Sequence, residues 1–544
     1  MRHKIVSRML VLTGVLICSH TAFAQRLTPV PATRGEQPRS QVPAAVAAGS
    51  STTSSPWTPL THQPTFLVDG AANPILLTDG SVLVQDAGFP DWWKLTPDQS
   101  GSYVNGTWTE IASLPTGYSP LYHSSAVLPD GRLIIEGGEY LCTPTTCNPV
   151  WTNLGAIYDP VGDFWTPVAP PAGWTSIGDA QGVVLANGTY MQANCCTTQA
   201  ALLDPKTLTW TPTGTGKFDP NDEEGWTLLP GGDVLAVDAY VPIPPFPYMP
   251  DGTHSELYNP RTGSWHSAGS TIVQLWDSAA ACGGESVATF ELGPAVLRAD
   301  GTVFYTGSNT CPDGTGNTAI YNSYTGRWHP GPMFPEVDGV TDISIADGPA
   351  SWEPNDKVLM MASPGFGNTP SVFFEWDGKT LTPVPGTPNA PVDGSYFGNM
   401  LLLPTGQILL TDFSDDVEIY TPTMTREDKA FAQSVAPVIL YTPQILSREG
   451  SYEIFGIRLN GMTQGAAYGD DVQAATNYPL VRITNLKTSH VFYARTHDHS
   501  SMAVASSAVV STHFDVSKVQ ETGVSLLQVV ADGVASSPVL VFVD

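Results

Sequence analysis

The sequence predicts an all-β fold: a seven-bladed β-propeller followed by an immunoglobulin-like β-sandwich. The main observation is a short turn, usually ending in Gly, that lies between two apolar runs and recurs about every fifty residues. Its copies centre on Gly80, Gly131, Gly188, Gly232, Gly301, Asp356 and Gly406. Such turns are typical of β-hairpins, and hairpins at this period are typical of four-stranded propeller blades. Six or eight blades remain alternatives, because the fourth and sixth copies are degenerate.

A tryptophan after most hairpins supports this count. The first five units end in Trp108, Trp165, Trp210, Trp265 and Trp328. Leu381 takes this place in the sixth unit. Large aromatic side chains at equivalent strand ends give neighbouring blades a common packing surface. Trp57 begins a further Trp-Thr-Pro phrase, so we expect a strand from Trp57 to about Leu67 that completes the last blade and closes the ring.

The first residues indicate export. Three basic residues precede the apolar run MLVLTGVLIC, and small residues precede a cleavage point near Ala24, which predicts a signal peptide over residues 1–24. Residues 25–55 are rich in Pro, Ser and Ala and predict a flexible leader. No later stretch approaches twenty apolar residues, so we expect a secreted or periplasmic protein without a membrane span.

The composition argues against a nucleic acid partner. The net charge is −28, so the surface repels polyanions and anionic membranes. Only 14% of residues are charged, while the chain holds 51 Gly and 48 Pro, which fits a loop-rich β protein. The carboxylates serve solubility or, in the alternative, bind calcium. We expect a monomer.

Six cysteines follow the signal peptide, and an even number in an exported protein predicts disulfides. They are Cys142, Cys147, Cys195, Cys196, Cys282 and Cys311. The first two bracket a short loop and the last two lie in one blade, so each pair could form a local bridge. The adjacent Cys195 and Cys196 either bridge one another or pair separately with other cysteines.

The pattern changes near Ala436. The propeller is predicted over residues 56–425, and a Thr-rich link at 421–425 leads to short alternating strands over residues 436–544. They are SYEIFGIRL, YPLVRITN, HVFYARTHD, MAVASSAVV, SLLQVVAD and PVLVFVD. Strands of this kind without helical periodicity predict an antiparallel sandwich.

Several segments carry a family resemblance. The stretch LYHSSA, running into LPDGRLIIEGGE, is kelch-like, a hairpin that ends in a glycine pair. Together with the signal peptide, seven units and the C-terminal sandwich, it resembles galactose oxidase and its glyoxal oxidase relatives. That resemblance implies a copper-radical alcohol or aldehyde oxidase, whose copper is held by two Tyr and two His, with one Tyr crosslinked to a Cys.

The ligand set implied by this resemblance is incomplete. Tyr122 takes the place of the crosslinked Tyr, and Tyr396 that of the second Tyr, but Phe397 replaces the adjacent His. The remaining family His resembles His497, in ARTHDHSS. The first blade has no Cys for the crosslink. We therefore expect no bound cofactor; copper on Tyr122, Tyr396 and His497 is the alternative.

Polar residues at the starts of the innermost strands are the other candidates, because these positions converge on one mouth of a propeller. They are Tyr122, His123, Asp179, Glu223, Glu224, Glu291, Asp347 and Tyr396. We select Tyr122, Tyr396, Glu224 and Asp179 as catalytic candidates and His123, Glu291 and Asp347 as binding candidates. Alternatively, several of these carboxylates cap turns or satisfy backbone amides.

The sequence therefore favours a carbohydrate or another small extracellular ligand at the mouth, without an intact copper-radical centre. A copper oxidase with altered ligands is one alternative. A carbohydrate-active hydrolase or lyase that uses the channel carboxylates is another. Whether the chain is an enzyme is left open, since propellers support many unrelated activities.

Overall fold

The computed structural model describes residues 55–143, 145–239, 252–276, 290–308, 316–365, 367–470 and 474–544. The expected signal peptide and nearly all of the leader lie outside these ranges. The described chain is almost entirely β-structure. Within these ranges, no helix is long and apolar enough to cross a membrane.

Seven antiparallel sheets follow one another along the chain. The first strands are β1 (Trp57–Pro59), β2 (Ala71–Leu76), β3 (Val82–Asp86), β4 (Trp92–Thr96) and β5 (Thr107–Glu110). Next come β6 (Pro120–Leu121), β7 (Ser124–Val127), β8 (Leu133–Glu136), β9 (Tyr140–Thr143), β10 (Thr146–Pro149), β11 (Gly155–Asp159) and β12 (Phe164–Val168). The third and fourth sheets contain β13 (Gly182–Val184), β14 (Tyr190–Ala193), β15 (Ala200–Asp204), β16 (Thr209–Thr213), β17 (Thr227–Leu228), β18 (Val234–Val237), β19 (His254–Asn259) and β20 (Ser264–Ser270).

The remaining sheets of the ring have the same order. The fifth and sixth contain β21 (Ala295–Leu297), β22 (Thr302–Thr306), β23 (Thr318–Asn322), β24 (Arg327–Pro330), β25 (Ala350–Trp352), β26 (Val358–Ala362), β27 (Val372–Trp376) and β28 (Leu381–Val384). The last contains β29 (Asn399–Leu402), β30 (Ile408–Thr411) and β31 (Glu418–Tyr420). The strands β6, β9 and β10 form a small separate sheet beside the second blade. These sheets are the blades of a seven-bladed propeller, as the sequence predicts.

The repeated turns have the backbone geometry that the sequence requires. The six turn glycines and Asp356 all have positive φ, between 67° and 88°. Only Gly adopts this region freely, which explains the recurring glycine. The Asp or Asn before it is explained by its side chain, which accepts a hydrogen bond from the backbone N–H two residues further on, as Asp79 does from Ser81 at 3.0 Å and Asp130 does from Arg132 at 3.1 Å.

The N-terminal strand closes the ring. Strand β1 pairs antiparallel with β31, with Trp57 opposite Tyr420, so the last blade combines both ends of the propeller sequence. Blades seven and one are also joined directly, since the backbone N–H of Asn73 donates to Oδ1 of Asn399 at 2.9 Å. The predicted closure by Trp57 is confirmed, although the strand itself is only three residues long.

The recurring tryptophans join neighbouring blades through hydrogen bonds. The indole N–H of Trp165 donates to the carbonyl of Ala112, just beyond the outer strand of the preceding blade, at 2.8 Å. Trp210 makes the equivalent bond to Ala169 at 2.7 Å, and Trp57 to Pro385 at 2.7 Å. The repeated Trp therefore supplies both apolar contact and a directional bond at successive blade interfaces.

Two disulfides are present among the described cysteines. Cys142 bridges Cys147 across the β9–β10 pair, as expected. Cys195 bridges its neighbour Cys196, which decides between the two alternatives for this pair. The expected bridge between Cys282 and Cys311 lies outside the described residues.

A helix that the sequence analysis did not predict leads from the ring to the second region. Helix α1 (Arg426–Val435) begins at Thr425, whose side chain accepts from the Asp428 N–H while the Asp428 carboxylate accepts from the Thr425 N–H. This reciprocal pair is a capping box, which satisfies two of the free amides at the helix start. A Thr-x-x-Asp signal was therefore present in a segment interpreted only as a link.

The C-terminal region contains ten strands, nine of which form the expected β-sandwich, with antiparallel pairing apart from one parallel pair. They are β32 (Val438–Tyr441), β33 (Ile445–Leu446), β34 (Ser451–Ile457), β35 (Ala466–Ala467), β36 (Leu480–Asn485), β37 (Val491–His497), β38 (Val509–Asp515), β39 (Gly523–Ala531), β40 (Val534–Ala535) and β41 (Val539–Val543). The strand expected over MAVASSAVV is wrong for most of its length, because β38 begins only at Val509. Strand β35 pairs with the innermost strand β25 of blade six rather than with the sandwich.

We expect Trp57→Phe to lower the free energy of unfolding by about 1 kcal/mol, because it keeps a ring but loses the bond to Pro385. Trp57→Ala should cost about 3–5 kcal/mol, since it also removes a buried ring that contacts Phe373 and Tyr420. Denaturant unfolding of both variants measures these two losses in the free energy of unfolding. Equal stability of the alanine variant and the unmodified protein would contradict the ring-closure role.

Candidate functional site

The starts of the innermost strands form one mouth of the channel, and two kinds of side chain meet there. Aromatic rings come from the second and seventh blades, and carboxylates come from the third to sixth. Tyr122 precedes β7 and Tyr396 precedes β29, whereas Asp179, Glu291 and Asp347 precede β13, β21 and β25. The structure therefore brings five of the predicted site residues to the same end of the propeller.

Four half-buried rings form an aromatic platform, defined by Tyr122, Tyr396, Phe397 and Phe413. The Tyr122 hydroxyl donates to the Tyr396 hydroxyl at 3.1 Å, and the Tyr122 ring lies 6.2 Å from that of Phe413. Phe397 lies 4.3 Å from Tyr396 and 6.0 Å from Phe413, measured between ring centroids. The platform combines apolar ring area with hydroxyl groups at its edge.

The carboxylate cluster lies on the other side of the mouth. One oxygen each of Asp179, Glu223 and Asp470 lie within 4.8 Å of one another. Oxygens of Glu291, Asp347 and Asp470 satisfy the same limit, so Asp470 belongs to both groups. Five carboxylates are thus collected around one point of the channel.

Burial and mutual repulsion shift the ionisation of these acids. Burial, followed by repulsion from Asp222 and Asp470, raises the pKa of Glu223 well above its usual range. Burial followed by repulsion from Asp347 and Glu223 does the same to the pKa of Glu291. Burial raises the pKa of Asp179 to about 6. These acids therefore keep their protons to a higher pH than free carboxylic acids do, and a protonated member can donate as well as accept hydrogen bonds.

A loop between β34 and β36 supplies two site residues that the sequence analysis missed. The Tyr468 hydroxyl donates to the backbone carbonyl of Tyr396 at 2.6 Å, and Asp470 joins the carboxylates. Two glycines permit this close approach. A Cβ at Gly225 would lie 2.2 Å from the carbonyl oxygen of Gly469, and a Cβ at Gly469 would lie 2.1 Å from Oδ1 of Asp347.

Glu224, selected from the sequence, does not face the mouth. Its carboxylate accepts from Nζ of Lys217 at 3.0 Å, and Lys217 also binds Asp219, Asp238 and Glu256 in a buried cluster. The adjacent Glu223 joins the carboxylate cluster instead, from a bend in which its own backbone has a positive φ of 55°. A group that neutralises a buried lysine is not available for a ligand without a large energetic cost.

His123 also points away from the mouth. It is fully buried between the first two blades, where its Nε2 lies 3.0 Å from Oε1 of Gln85 and 3.3 Å from Nδ2 of Asn73. Burial lowers its pKa to about 4, so the ring is neutral at physiological pH. Its contacts are those of a hydrogen-bonded core histidine that joins two blades.

His497 does not meet the tyrosines. It lies in β37, where Nε2 is 3.1 Å from Asp515 and Nδ1 is 2.8 Å from Asp498. The preceding Thr496 binds the backbone of Thr78, in the hairpin turn at the far end of the inner strand from the mouth. The proposed set of Tyr122, Tyr396 and His497 is therefore split between the two ends of the channel.

The described residues do not fit the copper set implied by the resemblance. Copper(II) favours imidazole nitrogen together with oxygen ligands. Phe397 lies directly beside Tyr396, whereas His123 and His497 contact Gln85 and Asp515. The hydroxyls of Tyr122 and Tyr396 alone leave such an ion without a nitrogen donor.

We expect the carboxylate cluster to make stability fall as pH rises. In the unfolded chain Asp179 releases its proton near pH 3.8, but in the fold it keeps the proton to about pH 6. Its stabilising contribution is therefore complete below about pH 4 and is lost as the pH rises through 6. Between pH 4 and pH 8 the melting temperature of Asp179→Asn should decrease less steeply with rising pH than that of the unmodified protein. Parallel curves for the two proteins would contradict the shift.

Comparisons with known proteins give kelch-like relatives. No family model matches the chain. A kelch-like protein, terF of Aspergillus terreus, is 29% identical over 136 residues, which are 24% of this chain and 27% of that protein. The chain therefore matches only about a quarter of the length of this curated relative.

Among solved structures, a fungal alcohol oxidase of the AA5 family in complex with copper matches with a TM-score of 0.47 and 15% identity, over 90% of this chain and 98% of the oxidase. The extracellular domain of a putative one component system from B. thetaiotaomicron matches with a TM-score of 0.42 and 10% identity, over 90% of this chain and 58% of that one. At these values neither match transfers a site residue or an activity. The propeller, the sandwich and the kelch-like relative together confirm the predicted resemblance of this chain to galactose oxidase-like kelch proteins.

Proposed function

We propose that this protein is a secreted or periplasmic carbohydrate-binding protein without an intact copper-radical centre. Its binding site is the mouth of the propeller channel. The observation that carries this proposal is the position of the aromatic platform opposite the carboxylate cluster. Binding sites of this kind combine apolar walls with a few precisely placed polar groups.

The two halves of the mouth suit the two kinds of surface on a sugar ring. The apolar face of a pyranose packs on aromatic rings, and the platform offers four of them side by side. The hydroxyls of a sugar both donate and accept hydrogen bonds. Ionised acids in the cluster accept strong bonds from them, and acids that keep their protons donate bonds in return.

The acidic character of the mouth favours some classes of sugar over others. A sugar without carboxylate, sulfate or phosphate groups avoids repulsion from the cluster, whereas a polyanion does not. The net charge of −28 acts in the same direction at longer range. We therefore propose a neutral or amino sugar rather than an acidic one, and no nucleic acid partner.

We expect Tyr122→Ala to weaken binding of the best ligand from a glycan array at least tenfold, because the variant removes one ring of the platform and the hydroxyl bond to Tyr396. A tenfold change corresponds to about 1.4 kcal/mol. The matched control is Tyr441→Ala in β32, since that ring is 60% exposed on the sandwich. Equal affinity of Tyr122→Ala and the control, or an array without any ligand, would refute the proposal.

A copper oxidase remains the main competing function, because two tyrosine hydroxyls do lie 3.1 Å apart at the mouth. We expect purified protein incubated with copper(II) to retain less than one ion per chain and to release no peroxide from galactose or glyoxal. Two results together would show that the protein is an oxidase rather than a binding protein. They are peroxide release and one bound copper ion per chain that is lost in a Tyr122→Phe, Tyr396→Phe double variant.

The raised pKa of Asp179 favours a second candidate, a hydrolase or lyase in which this acid donates a proton to a leaving group. Digestion of the polysaccharides that contain the bound glycan distinguishes the two functions. Turnover that disappears in Asp179→Asn, while affinity is retained, would indicate catalysis. Binding without turnover would leave the protein a lectin-like binder.

A further inference from the structure

The disulfide between Cys195 and Cys196 lies at the same end of the propeller as the carboxylate cluster. Both cysteines belong to the loop of residues 194–199, which joins β14 to β15. Strand β14 runs antiparallel to β13, so it ends beside the start of β13, which Asp179 precedes. The Sγ atom of Cys195 also lies 3.9 Å from Oδ1 of Asp222, on the chain that leads into the fourth blade. The bridge therefore lies between the entries of two inner strands.

The loop packs against the chain that leads to Asp179. The backbone N–H of Cys195 donates to the carbonyl of Ile177 at 2.9 Å. Gly178 leaves no room between the two segments, since a Cβ at this residue would lie 2.8 Å from the Cβ of Cys195. Asp179 follows directly along the chain, so the position of its carboxylate depends on this contact.

The same loop holds the chain that leads to Glu223. The backbone N–H of Asn221 donates to the carbonyl of Thr197 at 2.7 Å, and its side-chain amide donates to the carbonyls of Thr197 and Gln199 at 2.9 and 3.0 Å. The Cys196 N–H donates to the carbonyl of Asn221 at 3.3 Å. Strand β17, the inner strand of the fourth blade, is only two residues long. The loop of the third blade therefore supplies the hydrogen bonds that hold the segment before Glu223.

The bridge restrains the backbone of this loop at Cys196. Its φ is 54°, in the left-handed region that residues with a Cβ disfavour. A disulfide between adjacent residues closes a ring of eight atoms, and the N–Cα bond of Cys196, about which φ rotates, is one side of that ring. Without the bridge this bond is free to turn to negative φ. Such a rotation moves Thr197, whose carbonyl accepts two of the bonds from Asn221.

We propose that the bridge between Cys195 and Cys196 positions Asp179 and Glu223 at the mouth, and that its reduction by a dithiol releases both acids. The dithiol supplies two electrons and two protons, so that the bond between the sulfur atoms breaks, two thiols form and the dithiol becomes a disulfide. Cys195 is only 5% exposed, whereas Cys196 is half-buried, so the attacking thiolate reaches the sulfur of Cys196 first.

The consequence for a ligand rests on the proposed carbohydrate function. Two of the acids that bond to the sugar would no longer have fixed positions, and ordering them again on binding reduces affinity. The aromatic platform comes from the second and seventh blades, so its rings stay in place. Reduction should therefore weaken binding of the sugar without removing its apolar contact.

Amide hydrogen exchange of a Cys195→Ser, Cys196→Ser double variant tests the positioning role without any sugar. Serine keeps the side chains small but cannot form the bridge. Exchange of the amides in residues 219–226 should become about tenfold faster, because the bonds from the loop open more often. The matched control is Cys142→Ser, Cys147→Ser, which removes the other described disulfide and should leave exchange in residues 219–226 unchanged. Equal exchange in the two double variants would overturn the proposal.

Reduction of folded protein tests the same point without removing Cys195 or Cys196. Dithiothreitol is added to the Cys142→Ser, Cys147→Ser control, and peptide mass spectrometry locates the thiols that an alkylating reagent then labels. Labelling of the adjacent cysteines should accompany the same increase in exchange. Labelling without faster exchange, or no labelling in the folded protein, would each contradict the proposal.

Affinity for the best ligand from the glycan array separates this inference from the proposed function. The Cys195→Ser, Cys196→Ser variant should bind that ligand about tenfold more weakly than the disulfide control does. Equal affinity of the two would show that the bridge does not position the binding groups. An array without any ligand would refute the carbohydrate function, while the exchange experiments would still decide the role of the bridge.

Discussion

The pairing of β1 with β31 is the constraint on which the rest of the molecule depends. A ring of blades has a defined channel only when its ends are joined, and here three residues of extended chain make that joint. The indole bonds of Trp57, Trp165 and Trp210 then fix three pairs of neighbouring blades against one another. The side chains at the mouth converge because this closed ring brings the starts of all seven inner strands to one end.

The ring could be predicted from the sequence because its cause is local and repeated. Each turn needs a residue that accepts positive φ, and each hairpin carries its own apolar strands, so the same pattern appears seven times. Helix α1 was missed because it occurs once, is short and has no buried residue. Most of MAVASSAVV is loop, although its alternation of polar and apolar residues resembles that of a strand. Alternation alone therefore did not determine the secondary structure of this segment.

The site was only partly predictable, for two physical reasons. The choice between Glu223 and Glu224 depends on which neighbour points toward the axis, and the sequence did not show that Lys217 would occupy the other direction. Tyr468 and Asp470 lie far along the chain from the propeller strands, so no local pattern connects them to Tyr396 or Asp347. The signal was the length of the Gly-rich segment between β34 and β36, longer than a sandwich connection requires.

The short pairing of β35 with β25 has a consequence for the independence of the two regions. Two residues from the C-terminal region continue the sheet of blade six inside the channel, so the sandwich is also part of the propeller. A chain shortened after the last blade would expose an unpaired strand edge and leave the channel without its loop, and such edges promote association between molecules. The two regions are therefore better regarded as one structural unit, in which neither can be exchanged without redesigning the other.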